Sequence, residues 1–313
     1  MKVSVVIPAY KVEAYLPACL GSLEKEPLRD AEFLVVDDGS PDGSAGIARD
    51  FAARDGRFVL LRKENGGLSS ARNFGLERAA GDAIFFLDGD DALIPGALTK
   101  MVARLEEAGA DLVLCDARYA WENGKTKDVS SGFHGVAEGA AAKPLITRLY
   151  PAAWNKLYRR ALIGDLRFLP GVWFEDVEFF HRLFPRVNKL ASIDEAGVLY
   201  RQREGSITAR PDPRLFDYLT VVESFCDWYR DKGLLPDWER EISCCAARYL
   251  LATFCKRAAR LPGAMPGEAA KRSLAFLDGR FPGWRRNPYL TGAKGFYVKH
   301  FSASWMPLLR SIK

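Results

Sequence analysis

Between Val3 and Cys115 short apolar runs alternate with helix-length amphipathic segments, and this alternation constrains the fold more than any other feature of the chain. The runs fall at residues 3–7, 33–36, 58–61, 83–87 and 112–115. Each is rich in β-branched or aromatic residues and apolar at consecutive positions, the pattern of a strand covered on both faces. Residues 13–26, 44–54, 68–79 and 95–108 have helical spacing between them. Ser40 to Asp42 and Pro95 supply helix-start chemistry, while Gly81 and Gly109 end helices. Strands separated by helices of this size predict an α/β fold with a mainly parallel sheet flanked by helices.

The rest of the chain reads differently. Regularity falls away from about residue 117 to 200, where helices are expected only at 140–148 and 175–184. Beyond Pro213 the spacing is helical at 214–232, 238–260 and 268–277, and Pro262, Pro266, Pro282 and Pro288 divide the final stretch. Hydrophobic residues at 48% and charged residues at 27% exclude disorder, collagen and coiled coil. No apolar run approaches the roughly 18 residues of a membrane-spanning helix. The opening MKVSVVIPAY lacks a small-residue cleavage site and reads as a first strand instead of a signal peptide. Cys19, Cys115, Cys226, Cys244, Cys245 and Cys255 form no CxxC pair, so buried thiols in a reducing cytoplasm are expected.

In an open parallel sheet, ligands bind beyond the carboxyl ends of the strands. The first run ends in Pro8-Ala9-Tyr10, the second in Asp37-Asp38-Gly39-Ser40 and the fourth in Asp88-Gly89-Asp90-Asp91. Carboxylates one residue apart behind an apolar strand offer oxygen ligands to a hard divalent cation, which typically takes one or two of them and completes its shell from water and substrate phosphate. A metal-bound diphosphate is a natural occupant. The segment KENGGLSSARNFGL places a Gly66-Gly67 loop before a helix, with Arg72 one turn in to meet a phosphate or a carboxylate. No Gly-Lys-Ser/Thr follows that loop and no GxGxxG follows the first strand, which excludes a Walker A site and a dinucleotide fingerprint. Trp173-Phe174-Glu175-Asp176 is a third signal: its acids either complement a helix dipole or provide a general base.

Taken together, VSVVIPAY, FLVVDDGSPDGS, ENGGLSSARNFGLERAAGD, IFFLDGDD, WNKLYRR, WFEDVEFFHRLF and YRQREGSIT resemble, in order, the family 2 glycosyltransferases of GT-A fold. The likeness covers about residues 2–208. It implies a GT-A domain over 1–210, with a nucleotide-binding half at 1–115 and an acceptor-side half at 116–210, followed by a helical, basic region at 211–313. It implies an inverting, non-processive enzyme, since the QxxRW element of polysaccharide synthases is absent. By the same resemblance Pro8, Ala9, Tyr10 and Asp38 frame the nucleobase, and Glu13 stands near base or ribose. Gly67, Ser69 and Arg72 close the nucleotide pocket, and Asp88 and Gly89 lie against ribose or donor sugar. Asp90 is the main ligand for Mn²⁺ or Mg²⁺, with Asp91 a second ligand or sugar contact. Asp176 is the catalytic base. Glu175, Trp173, Trp154, Asn155 and Lys156 shape the acceptor or sugar pocket, with core packing as the alternative for both tryptophans, and Arg201, Arg203 and Ser206 contact phosphates. Lys11, where the family commonly has Asn, and Glu24-Lys25-Glu26-Pro27 depart from its pattern.

The expected partners are a nucleotide-sugar donor, UDP-linked by family frequency, and a saccharide or lipid-linked saccharide acceptor. From Lys256 to Lys313 twelve Lys and Arg residues face two acids, a local balance of +10; as the whole chain is at +5, the first 255 residues carry −5. Residues 292–313 interleave Phe296, Tyr297, Phe301 and Trp305 with Lys294, Lys299 and Arg310. They suit either an interfacial helix at the inner face of the cytoplasmic membrane or a packed helix with a solvated basic face. No nucleic-acid recognition motif accompanies the charge. A nucleotidylyltransferase would carry a Gly-rich basic loop after the first strand, which Pro8-Ala9-Tyr10 does not provide. A degenerate scaffold is disfavoured by intact Asp38, Asp90 and Asp176.

Overall fold

The computed structural model describes residues 1–203 and 211–310. The chain divides into two compact units, one built from Met1–Gly171 and Leu183–Glu204, the other from Val172–Arg182 and Gly205–Lys313.

The first unit opens with β1 (Val3–Ala9), α1 (Leu16–Glu24), β2 (Ala31–Asp37), α2 (Ser44–Arg54), β3 (Phe58–Arg62), α3 (Leu68–Arg78) and β4 (Ala83–Phe86). All seven positions of β1 are buried, as an apolar run at the centre of a covered sheet requires. Its one polar residue, Ser4, is satisfied by Glu32 and by the Gly81 N–H. β1 pairs in parallel with β2 on one side and β4 on the other, and β3 continues in parallel beyond β2. Helix α3 lies close on β1 because Gly75 faces it: a Cβ there would fall 2.4 Å from Val6 Cγ1.

The unit continues with β5 (Ala92–Leu93), α4 (Ala97–Glu107), β6 (Leu112–Trp121), β7 (Thr126–Val129), β8 (Val136–Glu138), β9 (Lys156–Arg159), α5 (Arg160–Ile163) and, after its excursion into the second unit, β10 (Lys189–Gln202). The sheet order is β3-β2-β1-β4-β9-β6-β10-β5, with β7 on β6 and β8 on β10. β9 enters antiparallel between β4 and β6, and β10 runs parallel to β6, so the far half is mixed. The helix expected at 140–148 is instead two 3-10 turns, Gly139–Ala141 and Lys143–Thr147, because Pro144 donates no backbone hydrogen bond. The carboxyl ends of β1, β2 and β4 carry the candidate site.

The second unit contains α6 (Glu175–Leu183) up to Arg182, then α7 (Asp217–Asp231), α8 (Leu235–Ala247), a π-helical stretch Arg248–Cys255, α9 (Lys256–Ala258), α10 (Met265–Arg280), α11 (Gly292–His300) and α12 (Met306–Arg310). Segment 172–182 belongs here because the buried face of α6 packs on α7. His181 stacks on Phe225 at 4.4 Å, Ser224 donates to Glu178, and the Tyr229 hydroxyl donates to the His181 carbonyl. All six cysteines are buried and free. No helix among the described residues is long and apolar enough to cross a membrane.

Candidate active site

The turn after β4 is built by its own backbone. The Asp91 N–H donates to the Asp88 carbonyl at 2.9 Å, and the Gly89 N–H reaches the Pro8 carbonyl at 3.3 Å. Only glycine fits there, since a Cβ on residue 89 would meet that carbonyl at 2.9 Å. Pro8 is tolerated because β1 and β4 exchange their last paired residues at Val6 and Phe86. β1 and β2 end together, with the Asp38 N–H on the Ala9 carbonyl at 2.9 Å, and leave Tyr10 exposed beside them.

The turn gathers Asp88, Asp90 and Asp91, and the fold balances them with three arginines. Arg72, buried on α3, donates to Asp88 Oδ1 at 2.7 Å. Arg203 reaches Asp90 Oδ2 at 2.6 Å. Arg201 donates its backbone N–H to Asp91 Oδ1 at 2.9 Å and its Nε–H to the Asp90 carbonyl at 3.0 Å. Asp91 is 1% exposed, and its Oδ2 has no hydrogen-bond partner. Burial, then the Asp90 and Asp88 charges, hold its carboxyl well above the usual carboxylate range. Burial and Asp88 raise Asp90 as well. Such a cluster suits a cation.

The donor set is oxygen alone, which suits a hard divalent cation such as Mn²⁺ or Mg²⁺. Among the described residues no group of three or more His, Cys, Asp or Glu could hold a metal.

Asp38 plays a larger structural part than its place at a strand end foretells. It is 2% exposed, and its carboxylate accepts from Lys63 Nζ at 2.6 Å, Gly67 N at 2.8 Å, Gly66 N at 3.0 Å and Asn65 Nδ2 at 3.2 Å. It thereby fixes the glycine loop that starts α3. Glu13 likewise accepts the Gly43 N–H at 2.6 Å and ties the loop after β1 to the loop before α2. Ser69 is buried and donates to the Leu169 carbonyl at 2.8 Å.

Trp154, Asn155 and Lys156 lie in the core. Trp154 stacks on Tyr200 at 4.7 Å. Lys156 is 0% exposed, with Nζ on the Tyr150 and Ala152 carbonyls and on Asn155 Oδ1 at 2.5, 2.6 and 2.7 Å. Their effect on a bound sugar would pass through packing, because the ammonium's three protons have partners already. Lys63, Asn65 and Tyr15, under the guanidinium groups of both Arg201 and Arg203, are site residues that the motifs do not single out. Ser206 lies outside the described residues.

Trp173, Glu175 and Asp176 belong to the second unit. The Trp173 N–H donates to Asp217 at 2.9 Å, and Arg214 lies over its ring. Phe174 has φ 67°, an uncommon conformation for a bulky residue. A 3.7 Å stack on Tyr218 holds it there, with Arg257 over the ring. Glu175 is buried, and half-buried Asp176 turns Oδ1 onto the Val177 N–H at 2.8 Å. Burial raises the Tyr218 hydroxyl to about 12, with Arg257 opposing and Asp176 adding to the shift.

Residues 4–167 match the family model described as Glycosyl transferase family 2. The "Uncharacterized glycosyltransferase EpsJ" of Bacillus subtilis is 30% identical over 290 residues, covering 88% of this chain and 83% of that one. Among solved structures, S. aureus TarS 1-349 in complex with UDP-GlcNAc superposes with a TM-score of 0.64 at 20% identity, over 96% of this chain and 90% of that one. The mannosyltransferase PcManGT of Pyrobaculum calidifontis, in complex with GDP-Man and Mn²⁺, gives 0.54 at 17% identity, over 99% and 88%. Both structural likenesses speak for the fold.

Proposed function

The chain belongs to glycosyl transferase family 2, and on that premise we propose that it moves one sugar from a nucleotide-diphosphate sugar, first of all a UDP-sugar, to a hydroxyl of a saccharide or lipid-linked saccharide. The observation that carries this reading is the carboxylate turn Asp88–Asp91 interleaved with Arg72, Arg201 and Arg203, at the edge where β1, β2 and β4 end. Acids there suit a cation and arginines suit a diphosphate. TarS is the precedent for a complex with a UDP-sugar on this fold, and PcManGT for one with GDP-Man and Mn²⁺.

Pro8, Ala9 and exposed Tyr10 face the base, with Gly67 and Ser69 closing the loop and Gly89 leaving room for ribose or sugar. Asp90, with Asp91 beside it, would hold Mn²⁺ or Mg²⁺, which when bound supplies positive charge for the departing diphosphate. Asp176 takes the proton of the acceptor hydroxyl. The acceptor hydroxyl oxygen bonds to the anomeric carbon, the carbon–oxygen bond to the diphosphate breaks, and the electron pair leaves with the nucleotide. One displacement inverts configuration. Trp173 and Glu175 are the acceptor-side residues of this reading.

The test is Asp176→Asn assayed for nucleotide release and donor binding. A general base contributes roughly 10²–10⁴-fold, so turnover falls by that factor while the donor dissociation constant stays within about twofold. Unchanged turnover, or a product with retained configuration by NMR, would overturn the assignment. The reading extends to peripheral docking on an anionic membrane surface, supported by Phe296 and Leu308, 65% and 66% exposed within the region of +10.

A further inference from the structure

The two arginines at the end of β10 stand in different relations to the acidic turn. Arg201 bonds mainly to the turn's framework, through its own backbone N–H to Asp91 and through Nε–H to the Asp90 carbonyl. Arg203 instead pairs directly with the Asp90 carboxylate at 2.6 Å, the group the preceding reading assigns to the cation. Its Nε is buried without a hydrogen-bond partner, so the guanidinium is incompletely satisfied where it sits. Tyr15 lies 5.4 Å from both guanidinium groups and offers a π face along which a cation can shift without losing all its stabilisation.

We propose that Arg203 is an internal counter-ion: in the ligand-free chain it neutralises Asp90, and it must give up that carboxylate before a divalent cation binds there. The released guanidinium then pairs with the incoming diphosphate, whose planar bidentate recognition arginine suits. A cation arriving alone leaves Arg203 without its anion, beside Arg201 over the same Tyr15 ring. A cation arriving with a nucleotide diphosphate supplies the replacement anion. Cation and nucleotide therefore bind cooperatively, with Arg203 carrying the coupling. This inference rests on the cation reading of Asp90.

The experiment titrates Mn²⁺ into the full chain, following free Mn²⁺ by electron paramagnetic resonance, with and without UDP. It compares wild type, Arg203→Gln, Arg203→Lys and Asp90→Asn. An opposite charge at ion-pair distance biases a carboxylate by about one to three decades. Arg203→Gln should therefore bind Mn²⁺ without UDP roughly tenfold more tightly than wild type, and the gain that UDP adds should shrink. Arg203→Lys, which keeps the charge, should behave like wild type. Equal or weaker Mn²⁺ binding by Arg203→Gln, with Asp90→Asn still abolishing it, would overturn the counter-ion alone. Mn²⁺ binding that survives Asp90→Asn, or is absent in every protein even with UDP, would overturn the cation reading and this inference with it.

Discussion

Replacing Asp38 by Asn isolates the electrostatic work of a single buried carboxylate. Oδ1 accepts from Lys63 Nζ and Gly66 N, and Oδ2 from Gly67 N, with Asn65 Nδ2 completing the set. An amide has the same shape but only one acceptor. In one rotamer its NH₂ faces the Lys63 ammonium, and in the other it faces the Gly67 N–H. Hydrogen bonds to charged groups contribute about 1.5–3 kcal/mol each, and breaking a buried pair costs about 3–5 kcal/mol. Lys63 keeps 15% of its side-chain surface in water and can turn outward, so we place the loss at the lower end, about 3 kcal/mol. Taking about 2–4 °C per kcal/mol for chains of this scale, the melting transition should fall by roughly 6 to 12 °C. The assay is thermal unfolding followed by donor titration, because the loop that starts α3 should loosen and donor affinity weaken with it. A shift below about 2 °C would refute the idea that Asp38 organises this loop.

Two other outcomes are expected. His181 is fully buried between Phe225 and Tyr249, donates Nδ1–H to the Val177 carbonyl, and has its pKa pushed down to about 4 by burial. The unfolded chain therefore binds the extra proton between about pH 4 and 6.5, so stability is full above that window and is lost as pH falls through it, by about 3 kcal/mol in the limit. Urea unfolding at pH 7 and pH 5 should show this loss and His181→Phe should reduce it; an equal loss in both would exclude His181 as its source. At the basic end, Phe296→Ser with Leu308→Ser should weaken affinity for anionic vesicles, read by co-sedimentation, by about a hundredfold or more, since each fully inserted side chain contributes roughly 1.5–3 kcal/mol. Undiminished binding, or none by wild type, would remove the membrane reading.

How much of this was legible in the sequence depended on the range of the interaction. Helix α2 spans the segment its spacing predicts, and β1 is buried at every position, because consecutive apolar residues leave a strand no solvent face. β10 went unread: Asp194-Glu195 interrupts its apolar residues, and the strand breaks register there, where Asp194 has φ 53°. Pro144 divided a segment whose apolar spacing suggested one helix. At the site, the carboxylate turn was visible because its acids follow an apolar run directly. Of its counter-charges, Arg72 was legible as able to meet a carboxylate, whereas the pairing of Arg203 with Asp90 was not, since the two lie more than a hundred positions apart and the β5–β10 pairing brings them together. Lys156 marks the opposite limit: its place in the WNKLYRR motif suggested a pocket by resemblance, whereas the folded backbone turns two carbonyls onto its ammonium.

The most direct measurement of the central claim is a calorimetric panel of UDP-, GDP-, CDP- and dTDP-sugars, with and without Mn²⁺, on wild type and Asp90→Ala. One nucleotide class should bind in a Mn²⁺-dependent way and lose that dependence in the variant. Absence of binding by every nucleotide sugar, or binding indifferent to both Mn²⁺ and Asp90, would contradict the proposed donor site.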